Sequence, residues 1–370
     1  MSSARHRPAP DADPDHGPDA DPQAPDPAAR DAAIAAFWSW WADGGGAALD
    51  AMFTGVGDPI DVHRAVGDRV AAVDPRLAWG FGPGGGDSRH LLTITAGGDP
   101  LVRATARRMV LAGPDDDATW AVTDFRRPDP TAAITWDGRT IDPAEASVEA
   151  MAGTTVVGVR LHHPVFAELL DGVAGPEDPA AATVEREVTQ IGFMLLQLVL
   201  GEEGFGLWVG DVILARERPE GAVALAELPG IVARVAEACP VWYGMEAPNK
   251  DLPVHVTARA PLSPLVDPLL TRHVVVQLLY SEVDAEGLPG PGSARALDEI
   301  GRAMAEAPGD EGVFVAAETS DGLRLLHFYV DPEGPGEARI RELAAGWDQG
   351  EHAVDAADDP GWLRVAHLRA

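Results

Sequence analysis

The sequence predicts an α+β protein built from two or three α/β-sandwich units, preceded by a disordered acidic tail. Apolar residues make up 46% of the 370 residues, an ordinary share for a globular protein with a sizeable core. Alternating patterns typical of strands and 3.6-residue patterns typical of helices follow one another along the chain. Stretches rich in glycine, proline and aspartate separate these patterns and divide the chain into units.

The tail is predicted at residues 1–30, which are rich in proline, aspartate and alanine and have no apolar periodicity. Such a segment cannot bury enough apolar surface to fold, so we expect disorder. His6 and His16 lie among its aspartates, but they have no fixed geometry for a metal. We predict no metal or other cofactor for this chain.

The predicted N-terminal unit covers residues 31–129 and begins with an aromatic helix. On a helical wheel most of its large apolar side chains fall within a stripe about 100° wide, the width of a core-facing side. Trp40 lies about 60° to one side of that stripe, so it is the aromatic residue that we expect at a partner or interdomain contact. The stripe comprises Ile34, Phe37, Trp38 and Trp41. Further elements are predicted over 58–73 and 100–112 (helices) and over 77–81, 90–96 and 119–125 (strands).

The predicted middle unit covers residues 131–247 and is organised around one long helix. Asp178 and Pro179 are a good N-cap and first helical residue. Beyond Ile191 the helix is apolar nearly all round, so we expect its second half to be buried on several sides, between domains. Strands are predicted at 132–137, 154–161 and 205–215, and a last helix near 225–238.

The predicted C-terminal unit covers residues 250–370 and has the order β-β-α-β-β-α-β. The core of that order is the ferredoxin-like split βαβ arrangement. A hairpin over 312–330 turns at Asp321-Gly322, a strong turn signal. The last strand is predicted in "WLRVAHL", residues 362–368.

The second strand of that hairpin is apolar on both faces. In a two-layer sandwich the unit's own helices cover one sheet face. We therefore expect the other face to meet another domain, a second subunit or a partner protein. The residues predicted at this contact are Leu325, His327 and Tyr329.

Three pieces of the C-terminal unit resemble the bacterial family called domain of unknown function 695. They are "EGLPGPGSARALDEI", "VFVAAETSDGLRLLHFYVDPE" and "DDPGWLRVAHL", in the same order and spacing. The resemblance covers roughly residues 250–370 and implies no catalytic residues. The hairpin and the Gly-Trp ending are more distantly similar to small acidic regulators that bind ribonuclease E, which implies a ferredoxin-like core and a protein-binding role.

The negative net charge disfavours some classes of function. The chain has 28 basic and 59 acidic residues, a formal net charge of -31, and only one lysine, as in high-GC bacterial genomes. Such a field repels nucleic acid and anionic membranes and favours a basic protein partner. Cys239 is the only cysteine, and neither a secretory signal nor an apolar run of membrane-spanning length is present, so we expect a cytoplasmic protein. The oligomeric state is not predicted.

Motifs for common chemistries are missing from the sequence. Gly80, Gly82 and Gly85 match GxGxxG, but a strand follows them instead of a helix, so we interpret them as a hairpin loop. Cys239 ends a helix and is expected to be an inert thiol. His162 and His163 end a strand and point to opposite faces, which disfavours a shared metal.

Two function hypotheses follow. The first is a non-catalytic protein-interaction or regulatory protein acting through a sheet face or an interdomain groove. The second is an enzyme of unknown reaction, with its site in an interdomain cleft and His162, His163 or His327 as the acid–base group. We favour the first because no catalytic residue can be assigned from a motif; the three histidines are candidates only.

Overall fold

A computed structural model describes residues 25–56, 59–172, 180–247 and 252–369. It is 42% helical and 27% strand, which confirms the α+β class. Most of the predicted tail lies outside the described residues. Its last part is helical, however, because Asp26 accepts a hydrogen bond from the backbone of Ala29 and caps a helix that begins at Pro27.

The N-terminal unit places helices on one face of a three-stranded sheet with the order β1-β2-β3. Strands β1 and β2 are antiparallel, and β2 and β3 are parallel. Leu92 and Ile94 of β2 point into the helical layer and are fully buried there. The elements are α1 Pro27–Trp40, a π-helical turn Trp41–Gly45, α2 Gly46–Phe53, α3 Pro59–Val73, β1 Ala78–Pro83, β2 His90–Thr95, α4 Arg103–Leu111 and β3 Trp120–Thr123.

The middle unit combines a four-stranded sheet, with the order β8-β7-β6-β9, and a separate two-stranded hairpin. Its core gathers the inward side chains of β6 and β7 with those of the long helix α6. The elements are β4 Ile134–Trp136, β5 Arg139–Ile141, β6 Ser147–Ala152, β7 Val157–His162, α5 Pro164–Asp171, α6 Ala181–Trp208, β8 Val209–Ala215, β9 Val223–Ala224 and α7 Leu228–Ala238.

The C-terminal unit is a six-stranded sheet with the order β10-β11-β13-β14-β12-β15, in which neighbouring strands are antiparallel. Helices α8 and α9 pack on one face of the sheet, where Leu297 of α8 and Ile340 of α9 share a core with Val274 and Phe328. The elements are β10 Trp242–Ala247, β11 Val254–Arg259, β12 Arg272–Leu279, α8 Pro291–Glu306, β13 Gly312–Ser320, β14 Leu323–Val330, α9 Gly336–Ala344 and β15 His352–Asp358.

Two details of this unit differ from the prediction. The last strand is β15, whereas the predicted strand at 362–368 is largely a 3₁₀ helix, Leu363–Leu368. Asp359 causes this difference, because its carboxylate accepts the backbone N–H groups of Leu363 and Arg364 and so caps a helical turn. In addition, β10 pairs with β11, so the sheet begins at Trp242, within the predicted middle unit.

The second face of the six-stranded sheet is covered in part by the chain itself. Trp362 stacks on Tyr329 with ring centroids 4.1 Å apart and an interplanar angle of 11°. Val365 and Leu368 of the 3₁₀ helix extend this cover, and Leu270 joins it from the loop after β11. The face that the sequence predicts as a contact surface is therefore closed at Tyr329 by an intrachain contact.

Helix α6 has the length and composition that could cross a membrane, the one such helix among the described residues. A core helix passes the same test, and 44% of the apolar window of α6 is buried within the described part of the protein. Ile191, Leu195 and Leu196 are fully buried in the middle unit. Their burial agrees with the expectation that the second half of this helix is enclosed.

Candidate functional site

A cleft of about 580 Å³ lies between the N-terminal and middle units. One wall is the face of β1 and β2 that points away from the helical layer, and the other is the second half of α6. The segment that leads from β3 to β4 runs along the cleft between these walls. The cleft is lined by residues 79–83, Leu91, Thr93, Thr95, 126–130, 132–134, Met194, Gln197 and Leu198.

The sheet wall is open because β1 alternates aromatic residues with glycine. Trp79 and Phe81 pack against the helical core. Gly80 and Gly82 present bare backbone, and a Cβ atom built on either would meet no atom within 4 Å. Gly80 therefore lies in the strand predicted over 77–81, and that strand extends through Gly82, which the sequence placed in the hairpin loop; Gly85 lies in the loop.

The helix wall is shaped by a break at Gly201, whose φ of 72° and ψ of 172° are not helical. In an unbroken helix the N–H of Glu202 would donate to the C=O of Leu198. Both groups bond to the β3–β4 segment instead. Asp129 N–H donates to Leu198 C=O at 2.7 Å, and Glu202 N–H donates to Arg126 C=O at 2.9 Å. The break thus fixes the segment against α6 and sets the form of the cleft.

Thr95 connects the cleft to a buried charged cluster. Its hydroxyl donates to the Glu202 carboxylate at 2.6 Å, and Arg103 lies 3.6 Å from the same carboxylate. Arg103 also donates to the Asp124 carboxylate at 3.3 Å, which receives a second bond from Arg107. Burial lowers the pKa of Arg103, and the nearby carboxylates oppose that shift. The two carboxylates are balanced by two guanidinium groups, so this cluster is structural.

Arg126 and Arg127 contribute the positive charge of the cleft lining. Both side chains are exposed, and no carboxylate of the described residues lies within 4.0 Å of either guanidinium. Asp129 is the acidic residue of the lining, and its carboxylate accepts two bonds from Thr131. Lining charges therefore sum to about +1, although the whole chain carries -31.

His162 and His163 lie away from the cleft lining and have separate hydrogen-bond partners. His162 Nδ1 lies 3.1 Å from the carbonyl oxygen of Ala215. His163 Nδ1 accepts the backbone N–H of Val165 at 3.1 Å and so caps α5, while its Nε2 donates to the carbonyl of Asp142. Burial lowers the pKa of His163, which favours this neutral form. Both hydrogen-bonding capacities of His163 are used structurally.

His327 belongs to a chain of four titratable side chains on the second face of the six-stranded sheet. His273 Nε2 lies 3.1 Å from His327 Nδ1, and His327 Nε2 lies 3.0 Å from Glu318. His367 lies 3.3 Å from the same Glu318 oxygen and is the exposed end of the chain. The structure brings His327 together with three residues that sequence reasoning missed, because they are far apart along the chain.

Hydrogen bonds and burial shift the pKa values of the groups in this row of side chains. Hydrogen bonds from His327 and then His367 lower the pKa of Glu318 to about 2. The hydrogen bond to Glu318 raises the pKa of His367. Burial, and next the charge of His327, lower the pKa of His273 to about 3. The result is a carboxylate near the surface and a neutral imidazole inside.

The other predicted contact residues are mostly packed within the chain. Trp40 is half-buried in the N-terminal core, and the Arg69 guanidinium lies 4.5 Å from its ring centroid. Leu325 is half-buried on β14. Tyr329 is fully buried and donates a hydrogen bond to Asp359 at 2.5 Å, and burial raises its pKa. Trp40 and Leu325 retain partial exposure.

Cys239 carries the single thiol of the sequence. Burial raises the pKa of this half-buried thiol, which disfavours a thiolate nucleophile. Within the described part of the chain, no group of three or more His, Cys, Asp and Glu side chains has the geometry to hold a metal ion.

The fold and the cleft together define an α+β protein with a small-molecule-sized cleft between the β1–β2 sheet and α6. No family model, no curated protein and no solved structure matches the chain. The resemblance of residues 250–370 to domain of unknown function 695 stays a prediction.

Proposed function

We propose that the protein is a non-catalytic, cytoplasmic regulatory protein that binds a small, largely apolar molecule in the cleft between β1–β2 and α6. The observation that carries the proposal is the open glycine wall of the cleft. Small-molecule sites typically have volumes of about 300–1,000 Å³, apolar walls and a few polar groups. The cleft, at about 580 Å³, has this combination, with Met194 and Leu198 opposite Gly80 and Gly82 and a few polar side chains between them.

The position of the cleft supports a regulatory role. Its walls belong to different units, so a ligand between them would add contacts that hold the units together. The N-terminal unit is also tied to the C-terminal unit, because Arg30 and Arg108 form ion pairs with Asp331 and Glu333. Binding would therefore stabilise the arrangement of the whole chain.

We also propose a ferredoxin-like core for the C-terminal unit. The order β12-α8-β13-β14-α9-β15 along the chain, with sheet order β13-β14-β12-β15, supports this assignment. A basic protein partner remains a proposal from charge alone. The enzyme hypothesis would need a site elsewhere, because His162, His163 and His327 are not among the residues that line this cleft.

The test fills the cleft without disturbing the core. Gly80→Val adds a β-branched side chain to a strand, in space where a Cβ meets no neighbour. Phenylnaphthylamine, a neutral dye that fluoresces in apolar sites, is titrated into the wild type and the variant. The matched control is Gly301→Val, which adds the same side chain to open space on α8.

We expect dye fluorescence with the wild type and with Gly301→Val, and at least about a tenfold weaker response with Gly80→Val, because the added side chain occupies the site. Circular dichroism should confirm that both variants are folded. Equal binding by Gly80→Val and the wild type would show that the dye binds elsewhere, and absence of binding by the wild type would also refute the proposal.

A further inference from the structure

We infer that the cleft ligand is a flat aromatic anion whose negative group is bound by Arg126 and Arg127. This inference rests on the proposed function and adds the chemical class of the ligand. The observations that carry it are the two guanidinium groups, which have no acidic partner among the described residues, and the shape of the glycine wall.

The carboxylates near the two arginines have other partners. Glu202 is occupied by Thr95, by the backbone N–H of Arg126 and by Arg103. Asp129 accepts its own local bonds from Thr131. Both nearby carboxylates thus have partners, whereas the guanidinium groups of Arg126 and Arg127 have no acidic partner among the described residues. A ligand with a negative group would supply the missing partner.

The positions of the two arginines are set by the backbone. Arg126 is held at its carbonyl by Glu202 N–H and at its own N–H by the Glu202 carboxylate, at 2.9 and 3.2 Å. Arg127 precedes Pro128, which restricts it to an extended conformation. Its Nη1 lies 2.8 Å from the point that a Gly85 Cβ would occupy, so the guanidinium lies against the β1–β2 loop. The anion site is therefore anchored on both walls of the cleft.

The glycine wall suits a ligand with a flat body. Gly80 and Gly82 leave a strip of peptide planes with no side chain above it, and Thr93 and Leu91 continue this wall on β2 in register with them. A planar ring system can lie flat on such a strip, and guanidinium groups also stack on aromatic faces. An aromatic anion therefore suits the wall and the arginines together.

The test compares two dyes that share an aromatic body. Anilinonaphthalene sulfonate carries a negative group, and phenylnaphthylamine is its neutral counterpart. Both are titrated into the wild type, into R126Q/R127Q, and into R295Q/R302Q. The last variant is the matched control, because Arg295 and Arg302 are exposed on α8, also lack an acidic partner among the described residues, and their loss changes the net charge equally.

We expect the wild type to bind the sulfonate dye more tightly than the neutral dye. R126Q/R127Q should bind the sulfonate dye roughly tenfold more weakly, since charge-assisted hydrogen bonds are lost, and should bind the neutral dye unchanged. The control variant should bind both dyes as the wild type does. Added salt should weaken the binding of the sulfonate dye only, because salt screens the attraction between its negative group and the arginines.

The two proposals fail in different ways. If both dyes bind equally and R126Q/R127Q changes neither affinity, while Gly80→Val still blocks both, the inference of an anion is refuted and the cleft remains a binding site. If Gly80→Val blocks neither dye, the cleft itself is refuted as the binding site.

Discussion

Gly201 provides the sharpest test of how the cleft is formed. Its backbone, at φ 72° and ψ 172°, is in a region that is essentially restricted to glycine. In Gly201→Ala the new Cβ would lie 2.9 Å from Cδ of Pro128 and 3.0 Å from the carbonyl oxygen of Arg126. Both distances are shorter than ordinary contacts, and both atoms belong to the segment that lines the cleft. The substitution therefore strains the break and displaces the segment.

The expected destabilisation can be worked from these contacts. A non-glycine residue in such a conformation costs about 1–3 kcal/mol. Displacing the segment also weakens the two bonds that Glu202 and Leu198 make with it, each worth about 0.5–1.5 kcal/mol net. If α6 straightens, one intrahelical bond is regained and offsets part of that loss. We expect Gly201→Ala to lower the free energy of unfolding by about 2–4 kcal/mol.

The assay is urea denaturation followed by tryptophan fluorescence, with Gly204→Ala as the matched control in the same helix. The Cβ of this control would lie 3.6 Å from the Leu200 Cβ, an ordinary contact, and its φ is not in the left-handed region. It should therefore stabilise the helix by up to about 1 kcal/mol. If Gly201→Ala is as stable as Gly204→Ala, the break is not imposed by glycine and this account of the cleft is wrong.

Three further predictions concern buried groups. Asp124→Ala should cost about 3–5 kcal/mol in the unfolding free energy, because it leaves buried Arg103 without its main charged partner. Trp362→Ala should lower the free energy of unfolding by about 3–5 kcal/mol. Leu363→Ala removes a side chain that is 59% exposed and should change that free energy little. Urea denaturation midpoints measure both effects. The pKa of His273 is about 3 in the folded protein and about 6.5 in the unfolded chain. The stability that depends on neutral His273 is therefore complete above pH ~6.5 and is lost as the pH falls, because the unfolded chain then binds a proton that the folded protein does not bind. His273→Gln should reduce the stability difference between pH ~7 and pH ~5 by roughly 2 kcal/mol, and an unchanged difference would contradict this.

Local side-chain patterns carried much of the fold prediction. The all-round apolar second half of α6 indicated enclosure on several sides, and Leu195, Leu196 and Val199 are buried. The Asp-Gly turn between β13 and β14 is at the predicted place, with Asp321 at a φ of 46°. These features depend on neighbours within one or two turns of the chain, which periodicity and turn chemistry describe well.

The cleft and the separate histidine chain were beyond such reasoning because the parts of each are distant in sequence. The bond between Arg126 and Glu202 joins residues 76 positions apart, and the bond between His273 and His327 joins residues 54 apart. A glycine within a helical pattern is a local signal of a break. It does not indicate which segment takes up the freed Leu198 carbonyl. Contacts between residues so far apart in the sequence are decided by tertiary packing.

The glycine wall itself favours a ligand over a purely structural explanation. A strand that served only to pack would gain from β-branched residues at positions 80 and 82, because each glycine in a strand interior costs roughly 0.5–1 kcal/mol in conformational entropy. The structure leaves room for such side chains, since a Cβ at Gly80 or Gly82 meets no atom. The same strand places Trp79 and Phe81 against the core on its other face. Large side chains are therefore missing only from the face that lines the cleft. A binding site for an aromatic anion requires empty space beside positive charge, and here two arginines without an acidic partner in the described part of the chain lie beside that space.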